Sequence, residues 1–212
     1  MSQHYWHEKE HKFTPEKDRP PMPREDEYLL PEMKRYLQSR KLSFKLAREN
    51  GWYPTSKVDG HDRIVIPCTN SLGIPYWQAR AIDSWTHVRY QSPRATRQDS
   101  IVLVWPFLED RDQWKGSIIT EGPADALAAA MLGRLGIGLM GNEPPEEVIE
   151  FIVNTIKHTY EPALVIPDRD HIEMGAYLTG SLSSRGVISH MRIPYAKDLA
   201  GMRIWERHFL IT

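Results

Sequence analysis

Ser117-Ile118-Ile119-Thr120-Glu121-Gly122-Pro123-Ala124-Asp125 is the stretch that decides the fold. Ile118 to Thr120 make a short apolar strand that runs without a linker into Glu121, and an alanine-rich helix follows to about Leu135. Downstream the same alternation repeats. Gly138 to Met140 reads as a second short strand ending at Gly141. Pro144 and Pro145 then open a helix with Val148, Ile149, Ile152, Val153 and Ile156 on one face. Ala163 to Pro167 is a third strand, leading directly into Asp168-Arg169-Asp170. Glu173 to Arg185 suits a helix and Val187 to Ile193 a fourth strand. Such alternation predicts an α/β fold: parallel strands joined by right-handed crossovers, with helices on both faces.

Upstream the pattern differs. Pro31 opens a helical pattern through Met33, Tyr36 and Leu37, and Ser43 is placed to cap a short helix that Gly51 ends. Arg63 to Pro67 and Pro75 to Ile82 read as a strand pair about a turn at Asn70 to Gly73. His87 to Tyr90 and Ile101 to Trp105 are further extended stretches. The expected organisation is a loose N-terminal arm over 1–27, a smaller α+β subdomain over 28–115 and the parallel α/β unit over 116–212. Pro15, Pro20, Pro21 and Pro23 mark the arm. His4, His7 and His11 would share a helix face there, but nothing supplies a helix.

The 212 residues are 41% hydrophobic and 26% charged, ordinary for a globular protein, with a formal net charge of −1. No apolar stretch approaches the length needed to span a bilayer, so a cytosolic protein is the default. Cys68 is the only cysteine, which excludes an intramolecular disulfide and a cysteine-built zinc site. Charge is informative locally. Between Tyr76 and Gln98 stand Arg80, Arg89, Arg94 and Arg97 against Asp83 alone, interleaved with Trp77, Trp85 and Tyr90. Single-stranded nucleic acid suits such a surface, with charge on phosphates and rings on bases; a solvated strand pair with half-buried aromatics fits it equally.

In an open parallel sheet ligands bind at the carboxyl ends of the strands. Glu121 follows the first strand of this unit, Asp168 and Asp170 the third, and Asp198 lies shortly beyond the fourth. Asp168 and Asp170 alternate along an extended chain, so both point the same way, as a shared ion would require. Crowded carboxylates repel one another and call for a cation, and oxygen-only donors at an open site suit Mg²⁺ or Mn²⁺. Singly, each acid has a plainer reading: a turn, a solvent-facing loop, or for Asp125 a partner of the helix dipole.

Glu121-Gly122-Pro123-Ala124-Asp125-Ala126, the later Gly141 and Asp168-Arg169-Asp170 resemble the Toprim domain of bacterial-type primases, topoisomerases and some nucleases. The resemblance implies a Toprim-type sheet, Glu121 as general acid or base, and magnesium held by Asp168 and Asp170. Lys197-Asp198 stands where primases carry a Lys-Asp-Pro-Asp element, with Leu199 and Ala200 replacing its last two residues. Arg63 to Pro67, Gln78-Ala79-Arg80 and Arg89-Tyr90 resemble the N-terminal subdomain of the primase core. By that match Arg63, Arg80, Arg89 and Tyr90 are candidate contacts for template or nucleotide; Arg94 and Arg97 of the basic segment and Lys197 of the Lys-Asp pair are candidates beside them, and Gly122 and Asp125 belong to the motif around Glu121.

The function implied is metal-dependent RNA primer synthesis on single-stranded DNA from nucleoside triphosphates. A zinc ribbon and a helicase-docking domain are missing from the sequence. A separate zinc-ribbon protein and a replicative helicase are therefore expected as partners, as suits a phage or mobile element. The alternatives are a Toprim nuclease and a catalytically inactive subunit that binds single-stranded DNA.

Overall fold

Helix α1 (Leu30–Ser39) forms where Met33 and Leu37 fall one turn apart, and both are fully buried. The computed structural model describes residues 20–70, 75–93, 100–107, 116–140, 144–157, 159 and 161–212. Helix α2 (Phe44–Glu49) is capped by Ser43, whose hydroxyl accepts from the Leu46 N–H at 3.1 Å. Gly51, at φ +76°, ends it. Strands β1 (Tyr53–Thr55), β2 (Arg63–Asn70), β3 (Pro75–Ala81), β4 (Tyr90–Gln91) and β5 (Ser100–Val104) follow. All of their pairings with one another are antiparallel. The turn expected at Asn70 to Gly73 lies mostly outside the described residues, as does everything before residue 20.

The second half alternates as its sequence predicts: β6 (Ser117–Thr120), α3 (Pro123–Ala130), β7 (Leu135–Leu139), α4 (Glu146–Ile156), β8 (Ala163–Val165), α5 (Ile172–Ser183), β9 (Ser189–Met191) and α6 (Ile204–Ile211). Strands β7, β6, β8 and β9 run parallel, in that spatial order. Side chains alternate between two cores. Ile118 and Leu164 join α1, α2 and α3 on one face, while Ile119 and Val165 join α4 and α5 on the other. The five apolar residues read onto one face of α4 are all buried, each contributing roughly 1.5–3 kcal/mol.

The two halves share one sheet. Strand β5 pairs antiparallel with β7, from Ile101 opposite Leu139 to Val104 opposite Gly136, giving the order β4-β3-β2-β5-β7-β6-β8-β9 with β1 beside β2. Glycine permits the closest packing here. A Cβ at Gly136 would stand 1.9 Å from the Ala126 carbonyl oxygen, and one at Gly138 2.8 Å from that of Gly122. Helix α3 therefore lies directly on β7.

Several boundaries differ from the sequence reading. Helix α3 stops at Ala130 rather than near Leu135, because Gly133, at φ +75°, turns the chain and Leu135 already begins β7. Residues 20–26, read as the end of a loose arm, are tied to the sheet. Pro21, Pro23 and Arg24 carbonyls accept from Trp77, Tyr53 and Thr55 side chains at 2.7–2.9 Å. Helix α6 had no counterpart in the reading. Its Arg207 is buried and donates to the Leu199 and Ala200 carbonyls at 3.0 and 2.6 Å, tying α6 to the loop that carries Asp198. No helix among the described residues is long and apolar enough to cross a membrane.

Candidate active site

Glu121, at the carboxyl end of β6, lines an open cleft of ≈ 480 Å³ with Asp168, which follows β8, and Asp198, in the loop after β9. Asp125, from the first turn of α3, lines it too. The antiparallel half supplies Gln78 and Arg80 of β3, Arg89 and Tyr90 at β4, and Arg40 just after α1. Carboxylates and guanidinium groups that are distant in sequence thus meet in one hollow.

Each acid has a defined environment. Glu121 is nine-tenths buried; one oxygen accepts the Asp168 N–H at 2.8 Å and the other lies 2.6 Å from His171 Nδ1. This contact and the Glu121 charge hold the His171 pKa above its usual range, so the pair favours imidazolium. Burial, followed by the charges of Glu121, Asp198 and Asp170, pushes the Asp168 carboxyl up to about 6. Burial and then Asp198 push Asp125 up to about 7, against the pull of the Ala200 N–H that its Oδ1 accepts at 2.7 Å. Asp198 Oδ1 accepts the Gly201 N–H at 2.6 Å, and its Oδ2 stands 3.9 Å from Arg40.

Asp170 departs from the expectation. The chain does not stay extended after Asp168: it turns at 169–170, with the His171 N–H returning to the Asp168 carbonyl at 2.9 Å. Asp170 consequently does not line the cleft with Asp168. It opens onto a neighbouring hollow beside the start of α5, 58% exposed and 3.6 Å from Lys197. Its pKa is lowered, first by its own backbone N–H and then, against some desolvation, by Lys197.

Arg63 also departs, for a reason of register. It pairs with Ala81, on the sheet face of Val65, Trp77 and Ala79, whereas Arg80 pairs with Ile64 on the other face. Arg63 is 0% exposed, holds Asp59 in a two-pronged ion pair at 2.6 and 2.8 Å and donates to the Val88 carbonyl. It is a structural residue, not a surface for template. Arg80 donates to the Tyr36 hydroxyl at 3.0 Å with its guanidinium 4.5 Å over the Tyr90 ring. Arg89 and Lys197 are exposed at the cleft. Gly122 is the extended residue that caps α3. Arg94, Arg97 and Gly141 lie outside the described residues.

Arg40 and His171 were not among the residues singled out from the sequence. Arg40 sits in no motif, and its signal is only that it follows α1. His171 adjoins Asp170, but its partner is 50 positions away.

The donor set fits a divalent cation in kind: its acids offer carboxylate oxygens; burial and then mutual repulsion raise the pKa at Asp168 and Asp125, and an ion would relieve that repulsion. Among the described residues, however, no three His, Cys, Asp or Glu side chains already stand grouped to hold a metal.

No protein-family model matches the sequence, and no curated protein matches it. In structure the chain is similar to the primase fragment of the bacteriophage T7 primase-helicase protein, with TM-score 0.56, 18% identity, and coverage of 82% of this chain and 71% of that one. It is similar to the RNA polymerase domain of Mycobacterium tuberculosis primase DnaG, with TM-score 0.61, 17% identity, and coverage of 85% and 75%. That domain in complex with double-stranded DNA matches with TM-score 0.56, 16% identity, and coverage of 85% and 73%. The zinc-binding and RNA polymerase domains of the Aquifex aeolicus primase match with TM-score 0.58, 17% identity, and coverage of 85% and 55%. What is shared at these identities is the fold, that of DnaG-type primase catalytic domains.

Proposed function

We propose that this chain is a primase-type catalytic core that joins ribonucleotides on a single-stranded DNA template. The observation that carries the proposal is the cleft, where Glu121, Asp168 and Asp198 face the same hollow as Arg40, Arg80, Arg89 and Lys197. A nucleotidyl transfer needs both kinds of group: cations for template and triphosphate, and carboxylates for metal and proton. The primase fold of the structural neighbours supports the same reading.

In this reading Arg40, Arg80, Arg89 and Lys197 hold phosphates, and Tyr90, fixed against Arg80, limits the floor of the cleft. The 3′-hydroxyl of one nucleotide attacks the α-phosphate of the next. A P–O bond forms, the bond to the departing pyrophosphate breaks, and the hydroxyl proton passes to Glu121. His171, hydrogen-bonded to Glu121, keeps that carboxylate oriented before the step. Glu121, Asp168, Asp198 and Asp170 would hold Mg²⁺ or Mn²⁺, which neutralises phosphate oxygens when bound. Asp170 would have to leave Lys197 and turn from its neighbouring hollow into the cleft. A separate zinc-ribbon protein and a replicative helicase are the partners proposed for template choice and coupling.

A second reading is a catalytically inactive subunit that binds single-stranded DNA. One observation favours it: Leu199 and Ala200, where primases carry the end of their acidic element, are core residues at 1% and 2% exposure. Ribonucleotide incorporation on single-stranded DNA with Mg²⁺ or Mn²⁺ separates the readings. Short metal-dependent products, reduced at least a thousandfold in both Glu121→Gln and Asp168→Asn, are the expected result. Template cleavage without synthesis would indicate a nuclease. DNA binding with neither activity, even with candidate zinc-ribbon partners added, would leave the inactive subunit.

A further inference from the structure

Gln78 is 4% exposed, in the middle of β3, and lines the catalytic cleft. Register puts it there. Gln78 pairs with Ile66 as Arg80 pairs with Ile64, so both project from the same face of the sheet. A buried carboxamide normally has its donor and its acceptor satisfied. Arg80, two residues on, has the Tyr36 hydroxyl and the Tyr90 ring. Gln78 has nothing comparable: among the described residues its side chain has no hydrogen-bond partner, and neither amide atom is sealed from solvent. An amide held in this state is destabilising. The fold keeps it all the same, and its opening is the cleft.

The occupant must answer a neutral donor–acceptor pair and, in the same hollow, the guanidinium groups of Arg40 and Arg89. A nucleotide carries both halves, phosphates for the cations and a base for the amide. Pro123, Leu139 and Met140 add apolar lining for a flat ring, and ≈ 480 Å³ lies in the size range of small-molecule sites. Pairing with a complementary strand occupies one edge of a base, so a protein group must read the edge left open. There guanine offers two acceptors, and cytosine, thymine and uracil one polar group each. Adenine alone sets a donor, N6–H, beside an acceptor, N7, and a carboxamide meets both at once. We propose that Gln78 is a specificity residue that reads adenine in the cleft, its Oε1 accepting from N6–H and its Nε2 donating to N7. The proposal deepens the functional reading above and rests on it in taking a nucleotide as the occupant.

The test is equilibrium binding of the full chain to ATP, UTP and inorganic triphosphate, and separately to labelled oligodeoxyadenosine and oligothymidine strands. In at least one of the two sets the wild type is expected to favour adenine about tenfold. The set that shows the preference assigns the base to the incoming nucleotide or to the template. Gln78→Met, equal in length but without the amide, and Gln78→Leu are expected to cut the preference to about twofold or less, with affinity for inorganic triphosphate within about twofold of wild type. Both variants are expected to unfold about 3 °C higher, because an unanswered amide is gone. No adenine preference in the wild type, a preference that survives in Gln78→Met, or an equal loss for inorganic triphosphate would overturn the proposal. Lower unfolding midpoints in both variants would also overturn it, by showing that the amide serves the fold. Binding requires no catalysis, so a wild type that reads adenine through Gln78 yet makes no primer would overturn the primase reading and leave the base site standing. Primer synthesis by a wild type with no adenine preference would do the reverse.

Discussion

The two halves of the cleft are built by different rules. On the parallel half, Glu121 and Asp168 come after strand ends, and the direction of the strands alone brings them to one edge of the sheet. On the antiparallel half, Arg63 and Arg80 hang from the strands themselves, and which face each occupies depends on single-residue register. Arg80 faces the cleft and Arg63 the far side, although both are arginines in neighbouring strands of one hairpin. Topology places an acid robustly, whereas register places a base only if every residue before it is counted correctly.

Removing the two arginines breaks or sustains that contrast. Arg63→Ala is expected to cost about 3 kcal/mol in denaturant unfolding, because it strips a buried cation from Asp59 and leaves the Val88 carbonyl without its donor. Arg80→Ala is expected to cost about 1 kcal/mol in stability and to weaken single-strand binding. Equal stability losses would mean that the register argument is wrong. Gly136→Ala probes the parallel half and is expected to cost about 2–3 kcal/mol by the same measurement, since its Cβ meets the Ala126 backbone and α3 must lift.

A further effect depends on pH. Asp125 binds its proton more tightly folded, with a pKa of about 7, than unfolded, near 3.8. The folded state therefore holds more protons across that window, and stability falls as pH rises through it. Asp125→Asn keeps a carbonyl for the Ala200 N–H and carries no charge. Without divalent metal it is expected to be about 2 kcal/mol more stable than wild type at pH 8, with the difference gone by about pH 3.5. A difference independent of pH would remove the burial of the Asp125 charge, and its repulsion by Asp198 and Asp168, as the cause.

What the sequence made legible follows the same division. The β–α alternation after Ser117, the single apolar face of α4 and the Ser43 cap are local patterns, and each appears as read. The meeting of Glu121, Asp168 and Asp198 in one hollow was legible because strand direction fixes it. Asp170 was misplaced because the turn at 169–170 is set by a tertiary bond, the Arg169 N–H to the Lys197 carbonyl at 2.8 Å. Strand β1 is three residues long and contains Pro54, so it carried no strand pattern. Arg40, His171 and the pairing of β5 with β7 depend on contacts between segments far apart in the chain, which no local pattern encodes.

The β5–β7 pairing also governs how the cleft can behave. Arg80 on β3 and Glu121 after β6 are separated by four strand steps of one hydrogen-bonded sheet, about 19 Å at the usual spacing. Walls joined in this way form a caliper locked at one setting, not a jaw. Substrates must fit the gauge they meet. Any selectivity for a bare strand over a thicker duplex would then come from the backbone ladder, before a single side chain has moved.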